Sequence, residues 1–142
     1  MNNYTSLFGR IFLSAIFLKS GWDKLLDPNS TVQYMSAKGI PFANILIIPT
    51  IGVLLAGGLS VLLGYKAKLG AWLLIGFLVP ATLIFHTRFP EEEIDFLKNL
   101  GLMGGLLTLV TYGAGKWSLD RRTKPQYRSL KDSPLTADPW DD

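Results

Sequence analysis

Cysteine is absent from these 142 residues, and histidine occurs once, at position 86. The first absence excludes disulfides, thiol redox chemistry, iron–sulfur ligation and cysteine-based zinc sites. The second makes haem a poor fit, because His86 would need a second axial ligand from methionine or another chain. There is no GxGxxG or P-loop, no HExxH and no GxSxG, so nucleotide, zincin and serine-hydrolase chemistry have no local signature. Charge is scarce too. Asp, Glu, Lys and Arg make up 18% against 49% hydrophobic residues, with a mean hydropathy of +0.28. That balance is too apolar for a soluble helical domain of this length.

What is present is four apolar stretches, at about 7–26, 42–64, 67–87 and 94–113. Each is close to the ~20 residues an α-helix needs to cross a hydrocarbon core about 30 Å thick. The expected fold is therefore all-α: a four-helix transmembrane bundle of up-down topology over residues 1–120, followed by a charged cytoplasmic tail at 121–142. The segment before Gly9 carries no positive side chain and no small-x-small cleavage site follows it, so the first stretch reads as a retained helix. Asp27-Pro28 should end it. Pro49 and Pro80 each remove one helical hydrogen bond and should bend the second and third helices.

With four alternating spans, one side holds Arg10, Lys66, Lys68, Lys116, Arg121, Arg122, Lys124, Arg128 and Lys131. The other holds Lys19, Lys24, Lys38, Arg88 and Lys98, mixed with acidic residues. The excess of basic residues on the first side places both termini in the cytoplasm.

The same alternation gathers polar residues near the outer end of the bundle. Lys19, Trp22, Asp23, Lys24, His86, Lys98 and Asn99 come to similar depth, and ionisable groups there face a bundle interior or a wet cavity unless they snorkel to the interface. They form a candidate outer-leaflet pocket for a polar headgroup, a quinone ring or a partner subunit. Interface snorkelling is the competing reading, favoured for Lys24 and Arg88. His86 could donate to a quinone carbonyl; a structural histidine ending its helix is the simpler account. Glu91, Glu92, Glu93 and Asp95 load the start of the fourth helix with favourable negative charge, and no metal site is expected from them.

Two stripes of small residues are candidates for helix packing. Gly52, Ala56, Ser60 and Gly64 recur every four residues on the second helix, and Gly101 with Gly105 does so on the fourth. Such faces let transmembrane backbones approach closely, within the bundle or across a homodimer. The tail combines Arg121, Arg122, Lys124 and Arg128 with an acidic end around Trp140. With no apolar periodicity it suits docking to a partner better than folding alone.

Several short motifs occur in a telling order: Gly9-Arg10-Ile11; Ser20-Gly21-x-x-Lys24-Leu25-x-Asp27-Pro28; Lys38-Gly39-Ile40-Pro41; Gly57-Gly58-Leu59; Thr82-Leu83-Ile84-Phe85-His86; Phe96-Leu97-Lys98-Asn99-Leu100; and Gly113-x-Gly115-x-x-Ser118-Leu119-Asp120. In this order and spacing the chain resembles the DoxX family of small bacterial membrane proteins over roughly residues 7–120. The resemblance implies a four-helix protein of the bacterial inner (or thylakoid-type) membrane. It also implies relatives that serve as small subunits of quinone-linked oxidoreductases, thiosulfate:quinone oxidoreductase among them. Many relatives carry a glutamate where this chain has Leu54, so a role resting on that acid does not carry over.

The expected function is that of a non-catalytic accessory subunit in a membrane-bound electron-transfer assembly. A quinone-binding small subunit and a small-solute or lipid-binding carrier are the alternatives. No cofactor is certain, quinone stays open and haem is disfavoured. The expected partners are the lipid bilayer and other membrane subunits, with a homodimer open and nucleic acid excluded.

Overall fold

The computed structural model describes residues 3–86 and 90–123, and every regular element among them is an α-helix. In chain order these are α1 (Asn3–Leu26), α2 (Pro28–Ala37), α3 (Ala43–Leu63), α4 (Ala67–Phe85), α5 (Glu93–Tyr112) and the short α6 (Leu119–Thr123). The helix ends follow from local chemistry. Asp27 stops α1 and starts α2: its carboxylate accepts from Ser30 N at 3.2 Å, and Pro28 occupies the first helical position, where its missing N–H costs nothing. Gly64 closes α3 at φ +67°, a conformation that suits glycine. Lys66 opens α4 at φ +47°, unusual for a residue with a Cβ, and has no side-chain cap of its own.

α1 packs along α3, α3 along α4 and α4 along α5, while α1 and α5 meet only sparsely. The four long helices thus form a ring left ajar on one side. Inside it lies an apolar core that includes Phe17, Leu54, Val61, Leu74, Leu78 and Leu106. A second cluster of Met35, Ala43 and Ile47 fixes α2 across the outer end of α3. The outward surface is apolar too: Phe12, Ile48 and Leu83 are each more than half exposed. Three helices, α3, α4 and α5, are long and apolar enough to cross a membrane. α1 is as long, with 24 residues, but Arg10 and Lys19 interrupt its apolar run.

The small-residue stripes divide between the inside and the outside of the bundle. A Cβ added at Gly52 or Gly101 would meet nothing within 4 Å, and Ala56 is exposed. These three residues point out of the bundle. Close approaches occur at Gly57 against Leu74 and Gly58 against Leu18, one and two positions after Ala56, and on the neighbouring helices at Gly21 against Leu55 and Gly70 against Ser60. The reason is geometric. A four-residue step overshoots one helical turn by about 40°, so three steps carry a stripe about 120° around the helix. The face that starts outward at Gly52 therefore ends inward at Ser60, beside Gly70, and at the buried Gly64. Gly105 also faces inward, with Leu13 Cδ1 at 3.2 Å from an added Cβ. Ala56→Leu is accordingly expected to leave thermal unfolding in mild detergent within about 0.5 kcal/mol of the parent. A larger loss would place this face against protein.

Candidate functional site

At the end of the bundle where α1 and α4 finish and α3 and α5 begin, the outer end in the expected topology, helices α1–α5 line a cavity of about 710 Å³. Its deep walls are apolar, from Phe17, Leu54, Phe77, Leu78 and Leu102, and its outer end is polar, from Ser20, Lys24, Thr31, Tyr34, His86, Lys98 and Asn99. α2 forms the roof. Tyr34 stacks on Phe85 with ring centroids 5.3 Å apart. Lys38 pairs with Glu92 at 3.2 Å and donates to Phe85 O at 3.3 Å. These contacts tie the roof to the end of α4 and the approach to α5.

Of the seven residues expected to meet near the outer leaflet, the structure brings four together. Lys24, His86, Lys98 and Asn99 line this cavity. Lys19, Trp22 and Asp23 do not. Lys19 and Asp23 pair with each other on the exposed flank of α1, and Trp22 is 54% exposed. Helical spacing explains the division. Phe17, Ser20 and Lys24 are three and four residues apart and share the inward face, whereas 19 and 23 form a row beside it. Lys24 is only partly exposed, and its Nζ donates to Ser20 Oγ at 2.9 Å.

Two polar side chains in the cavity lining stand out. Asn99, on the cavity wall, is 7% exposed. His86 ends α4, its backbone N–H bonded to Thr82 O at 3.0 Å, while its buried Nδ1 has no partner. Unsatisfied buried polar groups are uncommon and costly, about 1–3 kcal/mol each. Lys98 both lines the cavity and pairs with Asp95 one turn earlier. No group of His, Cys, Asp or Glu suited to a metal ion occurs among the described residues.

A second constellation lies at the opposite end of the bundle, where α1 and α4 begin. Arg10 is 2% exposed and donates to Trp117 O. The Asp120 carboxylate accepts from Lys66 N at 2.6 Å and Ala67 N at 3.0 Å, and Asp120 N donates to Gly64 O at 2.8 Å. Ser6 Oγ donates to Ala114 O at 3.0 Å. Residues 114–120 thus form a strap that binds the start of α1 to the α3–α4 turn. The clue in the sequence was the run of Gly113, Gly115, Ser118 and Asp120 after the last apolar stretch. Of the tail residues, Arg121 and Arg122 are exposed on α6, while Lys124, Arg128 and Trp140 lie outside the described residues.

An all-helical chain with apolar outer faces and three helices able to span defines an integral membrane protein, one of the inner membrane by its relatives. The DoxX family model matches residues 5–87, more than half of the chain, and the protein belongs to that family. The chain is 35% identical over 118 residues to inner membrane protein YqjF of Escherichia coli (strain K12), covering 81% of this chain and 88% of that one. It is 29% identical over 123 residues to inner membrane protein YphA of the same strain, covering 82% and 88%. A shorter match, 37% over 73 residues, is to the Surfeit locus protein 4 homolog of Schizosaccharomyces pombe, covering 45% of this chain and 24% of that one. No solved structure matches.

Proposed function

We propose that this protein is a four-span subunit that holds an amphipathic, ring-headed ligand of the quinone class in its outer cavity. In this reading it serves a membrane-bound redox assembly without catalysis of its own. α1, α3, α4 and α5 cross in alternate directions and both termini are cytoplasmic. Its 24 residues give α1 about 36 Å of length, enough to span. Arg10 lies buried in protein, and Lys19 pairs with Asp23 near the outer end, which relieves the cost of both charges in α1.

The observation that carries the ligand reading is His86 Nδ1, a buried atom without a hydrogen-bond partner in a cavity lining that also holds Asn99, more than nine-tenths buried. The cavity volume lies within the range of about 300–1,000 Å³ found for small-molecule sites. An amide N–H and the His86 ring suit a headgroup that bears ring oxygens. Lys24 adds positive charge, and the apolar wall through Phe17, Leu54 and Phe77 suits a hydrocarbon tail and excludes water. When bound, a quinone supplies reversible uptake of electrons and protons. The residues here bind and orient it.

The test is binding of a short-tailed benzoquinone to the purified protein in mild detergent. Asn99→Leu removes the donor at nearly constant volume and should weaken binding about tenfold, one hydrogen bond's worth, without lowering the unfolding temperature. Equal binding by parent and variant would remove the ligand reading. Native mass spectrometry of the gently solubilised protein addresses the assembly, which is supported if other membrane subunits copurify. For topology, cysteines placed at Ser30 and Ser133 should label from opposite sides of intact cells, Ser30 from outside. Equal labelling of both by an impermeant reagent would overturn the four-span arrangement.

A further inference from the structure

The gap between α1 and α5 opens at its inner end into a second cleft, about 540 Å³ and distinct from the outer cavity. Phe12 and Leu13 of α1 face Leu102 and Leu109 of α5 across it. Glycine makes the room. A Cβ at Gly9 would meet nothing within 4 Å, and one at Gly105 would meet only Leu13. An apolar slot at hydrocarbon depth does not hold water stably. A lipid chain fits it.

The inner mouth of this cleft is electropositive for three separate reasons. Thr5 and Ser6, in the first turn of α1, line it, and that turn contains no acidic residue to offset the positive end of the helix. Arg10 borders it, with Nε and Nη1 lacking hydrogen-bond partners among the described residues. Lys68 Cε lies 3.8 Å from where a Cβ on Gly113 would stand, and Gly113 lines the cleft. Among the described residues, the carboxylate at this end is Asp120; it accepts from the backbone N–H groups of Lys66 and Ala67, and its charge offsets part of that of Arg10.

We propose that this cleft binds one anionic phospholipid from the leaflet on the side of the chain's termini. One acyl chain lies between α1 and α5. The phosphate sits at the mouth, against the first turn of α1, with the charge of Arg10 behind it and Lys68 near Gly113 at the cleft's end. A zwitterionic lipid offers the same chain without net charge, and free phosphate offers the charge without the chain. Only an anionic lipid matches both halves of the site.

The experiment is native mass spectrometry of the full chain in mild detergent with added phosphatidylglycerol, with phosphatidylethanolamine of the same chains, or with inorganic phosphate as competitor. One phosphatidylglycerol should be retained at least about fivefold more tightly than phosphatidylethanolamine, the effect of a single basic residue near an anionic headgroup. Inorganic phosphate should not displace it. Gly9→Leu projects a side chain into the slot, where no atom opposes it, and should abolish most of the retention while lipid-free unfolding stays unchanged. Gly76→Leu, at an equally open glycine outside the cleft, should retain the lipid. Equal retention of the two lipids, or undiminished retention in Gly9→Leu, would overturn the proposal. Full competition by inorganic phosphate would overturn it as well, since the site would then be one for a free anion.

Discussion

Gly64→Ala should destabilise the protein by about 2–4 kcal/mol, far more than alanine at any lipid-facing glycine. Two effects add at this position. The residue sits at φ +67°, where a Cβ costs roughly 1–2 kcal/mol. That Cβ would also lie 2.5 Å from Ser118 Cβ and 3.1 Å from Ser118 Cα, and would overlap Arg10 Nη1. Ser118 and Arg10 cannot simply swing away. Ser118 is buried on the strap with its hydroxyl bonded to Gly115 O, and Arg10 is held by Trp117 O. Overpacking of this kind costs about 1–3 kcal/mol. Gly52→Ala is the control: its Cβ meets no atom, and alanine favours a helix interior over glycine by about 0.5–1 kcal/mol. The two variants should move the unfolding midpoint in mild detergent in opposite directions. Equal midpoints would mean that the strap yields and that the inner end is looser than its contacts imply.

Most helix ends were legible because they rest on local chemistry. Asp27-Pro28, Gly64 and Gly113 act through their own backbone, and each ends a helix within a residue or two of where the pattern places it. Which face of each helix turns inward was not legible. In a soluble bundle the polar face marks solvent, but lipid is as apolar as the core, so α3 carries no such mark. Ala56 and Gly57 look alike in sequence, yet one faces outward and the other meets Leu74. The same ambiguity hid the division of α1 between Lys24, which lines the cavity, and the Lys19–Asp23 pair, which does not. Arg10 was readable only as a basic residue on the inner side. Its partners arrive more than a hundred residues later through the strap, and no local spacing encodes them.

Asp120→Ala should cost about 2–4 kcal/mol, although the residue lies beyond every apolar stretch. α4 begins at Lys66 in a left-handed conformation with no side-chain cap of its own. Asp120 supplies that cap from a distance of more than fifty residues, accepting from Lys66 N and Ala67 N. An ordinary helix cap is worth about 0.5–2 kcal/mol, and because this one consists of hydrogen bonds to a charged group it falls nearer the about 1.5–3 of such bonds. Asp120 is also the carboxylate whose charge reaches Arg10, so its removal leaves a buried guanidinium less compensated. The two effects separate in a double-mutant cycle with Arg10→Met. If the charges communicate, Asp120→Ala should cost less in the Arg10→Met background, with a coupling on the order of 1 kcal/mol. If Asp120 acts only as the cap, the two losses should add. Truncation gives the independent readout. Ending the chain after Thr123 keeps the strap and should unfold at the parent temperature, whereas ending it after Gly113 removes the strap and should fall at least as far as Asp120→Ala. Should the chain ending at Gly113 unfold with the parent, α4 does not need its distant cap, and Asp120 contributes far less than its hydrogen bonds suggest.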